Sequence, residues 1–579
     1  MNIYKKYLTD YKKECILAPL FKMLEASFEL IVPLVISAII EVGIKGNNKS
    51  YIIKMSLVMV ALGLIGLAFS LTAQYFSAKA ATGFAAGIRK AMFKHIQALS
   101  FNELDRVGTS TLITRMTVDV NQAQNGVNMF LRLFLRSPFV VVGAVAMAYY
   151  VNGNAAVVFG TAIPLLAIVV FAIVFFNIPL YGKVQQRLDT VLLRVRENLN
   201  GIRVIRAFGR EQTEKEAFAQ ENKELTGMQL KAGRFSALLN PLTYAMINLA
   251  LVLLLYRGSN LVDTGKLLQG DLIALVNYMG QILVELIKLA NLIVLLTKAV
   301  ACGKRIEECL ELPEGMKEAE IKEEKLPLSN GEKAPFLAVR DVGFTYEGGR
   351  EEALTDIDFT VEKGEIIGVI GGTGSGKSTL VQLLPRLYDV TRGAIYLEGR
   401  DIRSMDIDKL RRRFGLVPQK ASLFAGTIRE NLVFADADAS EEAIEEAITV
   451  AQAKDFILGK ENGLESVVEP GGRNFSGGQK QRLTLARALV RRPEVLILDD
   501  SSSALDYATD AALRKALRAL SYHPTTFIVS QRTASIAHAD RILVLDDGEI
   551  VGIGTHDALL QSCKVYKEIY DSQYRSAEA

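Results

Sequence analysis

"IIGVIGGTGSGKSTLVQLL", residues 366–384, decides the reading of this chain. Ile366–Ile370 is a short apolar run of the kind that forms a buried strand, and the stretch from Lys377 has the makings of a helix. The loop between them, with Lys377 and Ser378, fits G-x-x-x-x-G-K-[ST] over Gly371–Ser378. The glycines Gly371, Gly374 and Gly376 let backbone N–H groups close around phosphate oxygens, and the helix N-terminus adds positive potential. Lys377 is placed for the β and γ phosphates, Ser378 for Mg²⁺, and Thr379 completes the candidate ATP cradle.

A second stretch supplies the partner that such a loop needs. "EVLILDDSSSALD", Glu494–Asp506, is an apolar strand ending in two carboxylates. The first, Asp499, falls where a carboxylate meets the Mg²⁺ of a phosphate-loop site. The second, Asp500, faces the water that attacks the γ-phosphate.

Outward from this core the composition divides. The chain has 579 residues, too many for one core, half of them hydrophobic and 23% charged. Six long apolar stretches lie in the first 300 residues, at roughly 16–44, 51–78, 131–151, 155–180, 239–258 and 272–300, and a bilayer crossing needs about 20 residues at ~1.5 Å each. Short segments such as "KGNNKS" and "VNGN" join them in pairs. Two longer, Arg- and Lys-rich connections separate the pairs, and both show helical periodicity, so each extends a membrane helix into the cytosol. Residues 1–310 therefore read as an all-α six-helix transmembrane domain. The charged run 311–335 reads as a linker, and 336–579 as an α/β nucleotide-binding domain. The N-terminus, with Lys5, Lys6, Lys12 and Lys13, lacks the pattern of a cleavable signal peptide and belongs on the cytoplasmic side with the ATPase domain, in a multi-pass protein of the cell membrane. A net charge of +3 gives no ground for a nucleic-acid partner. The cysteines, Cys15, Cys302, Cys309 and Cys563, have neither zinc-ligand spacing nor a disulfide framework.

"RNFSGGQKQRLTLARAL", Arg473–Leu489, resembles the signature of ATP-binding-cassette (ABC) proteins, with Phe475 where leucine is usual. Gln419 in "GLVPQKASLF" matches the Q-loop glutamine, Ser503–Asp506 the D-loop, and Tyr346 in "VRDVGFTYEG" the aromatic that stacks on adenine. "EPGG", Glu469–Gly472, stands where exporters often carry a Gly-Glu-Arg-Gly type loop. "FNELDRVGTSTLITRMTVDV" and "LNGIRVIRAFGREQTEKEAF" resemble the two intracellular segments of type IV ABC exporters, so nearly the whole chain resembles a half-transporter of that group. The resemblance implies ATP and Mg²⁺ as cofactors, with Ser378, Gln419 and Asp499 around the metal. It implies a head-to-tail dimer in which Ser476, Gly477, Gly478, Gln479 and Asp506 act on the partner's ATP.

Two positions depart from that pattern. The family usually has glutamate where this chain has Asp500 and histidine where it has Gln531, in "TFIVSQRTASI". The aspartate carboxylate sits one methylene further back, and glutamine cannot become a cation. Asp500, Gln531 and Gln419 thus form a catalytic edge that binds MgATP and cleaves it poorly. The chain resembles the degenerate-site subunit of bacterial heterodimeric multidrug exporters, its partner a half-transporter with Glu and His at those two positions. In the sixth apolar stretch Asn277, Gln281, Glu285, Lys288 and Asn291 share a face of roughly 120°, expensive against lipid, which either lines a substrate pathway or pairs internally through Glu285 and Lys288. The expected cargo is an amphipathic drug or lipid. An importer of the same architecture, similar to some siderophore systems, and an ATP-gated channel or regulatory subunit carry the same motifs.

Overall fold

The computed structural model describes residues 2–316, 326, 334–501 and 505–574. Most of the expected linker (317–325 and 327–333) and Ser503 and Ala504 of the D-loop stretch lie outside the described residues. The chain forms two compact units, one of Met1–Gln97 with Thr109–Leu312, the other of Ala98–Gly108 with Pro313–Ala579.

The first unit is helical. α1 (Asn2–Leu8) leads into α2 (Lys12–Ala38), which continues through a wide π turn at Ile39–Ile44. α3 (Lys49–Ala98) is a single helix of 50 residues, about 75 Å long. After α4 (Phe101–Val107) come α5 (Thr109–Thr114), α6 (Val120–Leu133) and α7 (Arg136–Val151). α8 (Gly153–Asn200) is nearly as long as α3, and α9 (Ile202–Ala207), α10 (Glu211–Ala237), α11 (Leu239–Asp263) and α12 (Gln269–Leu310) follow. Among the described residues six helical segments are long and apolar enough to cross a membrane, and each contains one of the six apolar stretches. Asn152 alone separates α7 from α8, its side chain accepting from the N–H groups of Asn154 and Ala155 as an N-cap. α12 packs against α2, α6, α7, α8 and α11. Small residues set the closest approach: a Cβ on Gly126 of α6 would lie 2.2 Å from that of Ala299 on α12.

The second unit is α/β. Its strands are β1 (Leu337–Phe344), β2 (Leu354–Val361), β3 (Ile366–Gly371), β4 (Arg392–Leu397), β5 (Arg400–Asp401), β6 (Phe414–Val417), β7 (Gly426–Thr427), β8 (Val467–Val468), β9 (Val495–Asp499), β10 (Thr525–Val529), β11 (Arg541–Asp546) and β12 (Glu549–Gly554). Six form a sheet in the order β12-β11-β3-β10-β9-β6, parallel except for the edge strand β12. The order β2-β1-β4-β5 makes a separate antiparallel sheet. Val339, Phe359, Val369 and Leu380 join the two sheets in one core. β3, β9 and β10 are the buried middle of the parallel sheet, which explains the apolar runs Ile366–Ile370, Val495–Leu498 and Phe527–Val529. Their C-terminal ends therefore open together on one edge, where ligands bind in such sheets. α4, capped by Ser100, belongs to this unit: Asp105 accepts a 2.7 Å hydrogen bond from the Tyr388 hydroxyl.

Candidate functional site

At that edge β3 ends in Gly371 and α13 (Lys377–Leu383) begins at the loop's lysine. Gly376 has φ +89°, and a Cβ there would meet Ala353 O at 2.7 Å, so only glycine closes the loop. Lys377 is buried and donates to the carbonyl oxygens of Gly371 (3.0 Å) and Gly372 (2.5 Å). Its burial lowers the ammonium pKa, an effect that the nearby Asp500 and Asp499 oppose. The Ser378 hydroxyl donates to Asp499 Oδ1 at 2.9 Å. Asp499 is 5% exposed, and burial raises its pKa, with the neighbouring Asp500 adding to the rise.

Asp500 follows directly with φ +46°, its N–H bonded to Val529 O at 3.0 Å and its Oδ2 accepting from Gln419 Nε2 at 3.3 Å. A cavity of about 330 Å³ joins Tyr346, Gly374, Gly376, Lys377, Ser378, Thr379, Gln419, Asp499, Asp500 and Gln531. It also takes in Thr373 and Ser530, which the sequence reading passed over. Tyr346 shares a 3.0 Å hydrogen bond with Thr379 and stands edge-on to Phe344 and Tyr388, which holds its ring at the cavity mouth. Gln531 is exposed. Its carbonyl accepts from Gln573 Nε2 at 2.7 Å, while Gln573 Oε1 accepts from the N–H and hydroxyl of Thr533.

Residues 15–286 match the model of the ABC transporter transmembrane region, and residues 354–503 match the ABC transporter model. An uncharacterized ABC transporter ATP-binding protein of Mycobacterium tuberculosis is 36% identical over all of this chain and 99% of its own length. The chain belongs to the ABC transporter family. A putative multidrug export ATP-binding/permease protein of Bacillus subtilis is 29% identical over 99% of each chain. The solved structure of a bacterial Atm1-family ABC exporter with ATP bound superposes with a TM-score of 0.79 at 23% identity, over 97% of this chain and 98% of that one, and so shares its fold.

In this ABC transporter the signature residues lie apart from the chain's own cavity. Ser476 caps the helix Gly477–Val490: its hydroxyl accepts from the Gln479 N–H and the Gln479 side chain accepts from the Ser476 N–H. The exposed Ser476 and Gly477 present that helix end to solvent, with Gly478 and Gln479 half-buried behind them. Phe475 is 6% exposed, in the core beneath Lys460, so the unusual phenylalanine is a packing residue. Asp506 also stands outside the cavity: its carboxylate caps the helix Tyr507–Arg518, accepting from the Thr509 N–H (2.8 Å) and hydroxyl (2.9 Å), which lowers its pKa.

The membrane helices hold a charge network. Arg136 on α7, 7% exposed, reaches Glu285 on α12 (2.5 Å) and Glu29 on α2 (2.6 Å). Glu285, 3% exposed, also accepts from Ser137 (2.8 Å) and Lys288 (2.8 Å). The Glu285–Lys288 pair is one of the two readings that the sequence left open for this face. Arg136 was in neither, because 149 residues separate it from Glu285. Asn277 and Asn291 are exposed and Gln281 is half-buried, its Oε1 enclosed without a hydrogen-bond partner among the described residues. Lys22 on α2 pairs with Glu25 (2.5 Å) and reaches Ser70 on α3 (3.1 Å).

Proposed function

We propose that this ABC transporter is one subunit of a heterodimeric exporter of amphipathic drugs or lipids, and that its own ATP site binds MgATP firmly but cleaves it slowly. The observation that carries the reading is the cavity itself, in which an intact phosphate edge of Lys377, Ser378 and Asp499 faces Asp500 and Gln531. Ser378 and Asp499, already in contact, and Gln419 are the residues that would hold Mg²⁺. A buried carboxylate whose pKa is raised suits a cation. The ion supplies charge neutralisation at the phosphate oxygens. Tyr346 supplies an aromatic face for adenine, and Lys377 exchanges its loop carbonyls for phosphate oxygens.

Cleavage needs a base beside the attacking water. Asp500 offers a carboxylate one methylene short, and a misplacement of about 1 Å costs ~10²-fold. Gln531 donates a hydrogen bond but brings no positive charge to the γ-phosphate. Transition-state stabilisation falls while binding persists. The intact Ser476–Gln479 helix end then serves the ATP of a partner chain with Glu and His at these two positions. Asn277, Gln281 and Lys288 line the cargo's path, whereas Glu285, the fourth residue expected there, is buried in its ion pair with Arg136. The ATPase domain and the N-terminus face the cytoplasm.

Export direction is supported by the Bacillus subtilis relative, a putative multidrug export protein, and by the exporter fold. Co-purification from native membranes, followed by steady-state ATPase of the chain alone and of the pair, tests the reading. The chain alone should turn over slowly and the partner should restore activity. Ser476→Ala or Gly477→Asp should nearly abolish turnover of the pair. Brisk turnover by a homodimer would overturn the heterodimer. Drug-stimulated ATPase in vesicles supports export, whereas ionic current on adding ATP would make the chain a channel subunit.

A further inference from the structure

A second cavity, of about 760 Å³, lies in the helical unit, between α1, the start of α2, α6 and the last third of α12. Leu8, Ile16, Phe130 and Val300 line it, together with Lys5 and Lys12. The apolar lining is open: Ile16 is 69% exposed, Phe130 41% and Val300 63%. Its walls are fixed, because the Tyr4 hydroxyl of α1 donates to Ala299 O of α12 at 2.5 Å and the Tyr4 ring stacks on Phe84 of α3.

The two lysines are exposed, and among the described residues no carboxylate lies within 4 Å of either ammonium. The nearby Glu14 is already paired with Lys79 at 2.8 Å. An apolar groove with uncompensated cations along it matches one kind of molecule at the depth where this lysine-rich end meets the cytoplasmic leaflet. That molecule has apolar chains and an anionic head.

We propose that this groove seats an acyl chain of an anionic diacyl phospholipid, with Lys5 and Lys12 holding its phosphate. The site is separate from the ATP cavity and from the charged residues around Glu285. A cargo molecule or a second protein chain in the groove would be a different outcome of the test.

The chain contains no tryptophan, so one introduced indole reports on this place alone. Phe130→Trp places it in the groove, Val300→Trp is a second reporter should the first not fold, and Leu64→Trp, on the exposed face of α3, is the control. The full chain is placed in nanodiscs containing either phosphatidylglycerol or phosphatidylcholine brominated on its acyl chains, at equal mole fraction. Quenching is read as the difference from the same preparation without the introduced tryptophan. The groove reporters should be quenched about threefold more strongly by the brominated phosphatidylglycerol, and the Leu64→Trp control equally by both lipids. Lys5→Gln with Lys12→Gln should bring the groove reporters to equality. Equal quenching of the groove reporters in the unaltered chain, weak quenching by both lipids because protein or cargo fills the groove, or an excess that survives loss of both lysines would each overturn the proposal.

Discussion

The two edges of the ATP cavity are built differently. On the phosphate edge, Lys377 and Asp499 are buried, Ser378 joins β9 to α13 through a 2.9 Å hydrogen bond, and β9 is buried from end to end. On the opposite edge, Gln531 is exposed and Asp500 is reached by Gln419 at 3.3 Å, near the long limit of a hydrogen bond. Asp500 occupies left-handed backbone, which aspartate adopts more readily than most residues with a Cβ. Nucleotide binding rests on loop geometry and buried contacts that the fold itself requires. In the proposed reading cleavage rests on Asp500 and Gln531, two side chains at the solvent edge, which change without disturbing any core contact.

Breaking the phosphate edge should have the largest effect. Lys377→Ala removes charge-assisted hydrogen bonds of about 1.5–3 kcal/mol and should weaken ATP binding ~10–100-fold, measured by nucleotide titration of the purified pair. Repairing the other edge comes next. Asp500→Glu with Gln531→His restores both catalytic groups and should shorten retention of uncleaved ATP at this site by about 10-fold or more, followed by trapping labelled ATP and chasing with unlabelled ATP. Unchanged retention would mean that these two residues do not set the rate.

Asp499→Asn should separate stability from function. Burial lets Asp499 hold its proton to higher pH in the fold than in the unfolded chain. Between the ordinary aspartate range and that raised value the fold binds more protons, so stability falls as pH rises through the window and stays lower above it. The Asn variant lacks this loss. Without nucleotide it should melt higher near neutral pH by a few degrees, since about 1 kcal/mol moves a domain of this size by ~2–4 °C, and it should lose the stabilisation given by MgATP. Thermal melts with and without MgATP measure both. The smallest effect belongs to Asp500→Ala, which should leave steady-state ATPase of the pair within about twofold, on the proposed reading that Asp500 is a poor base and the partner's site drives the cycle.

The phosphate edge was legible because it is local: strand, glycine loop, lysine and helix follow one another within 19 residues, each with a physical requirement for its residue type. The six membrane helices were legible for a similar reason, since length and apolarity are properties of contiguous sequence. What escaped depends on distance along the chain. Nothing around Arg136 announces Glu285 and Glu29, and nothing in "FNELDRV" shows Asp105 bonding Tyr388, 283 residues away. Asp506 was read from the resemblance as a contact to the partner's ATP, and only the backbone beyond it shows that its carboxylate caps a helix. The left-handed turn at Asp500 is equally invisible in an unbroken apolar-to-acidic run.

Gln573 ties the helix Lys564–Tyr574 to the turn that carries Gln531, through the Gln531 carbonyl and both donors of Thr533. That helix is thus a tether on the turn that carries Gln531. A premature stop between residues 567 and 572 would delete no residue that lines the ATP cavity, yet it would unmoor the turn on which Gln531 rides. Transporter shortened in this way would keep its nucleotide and lose its timing.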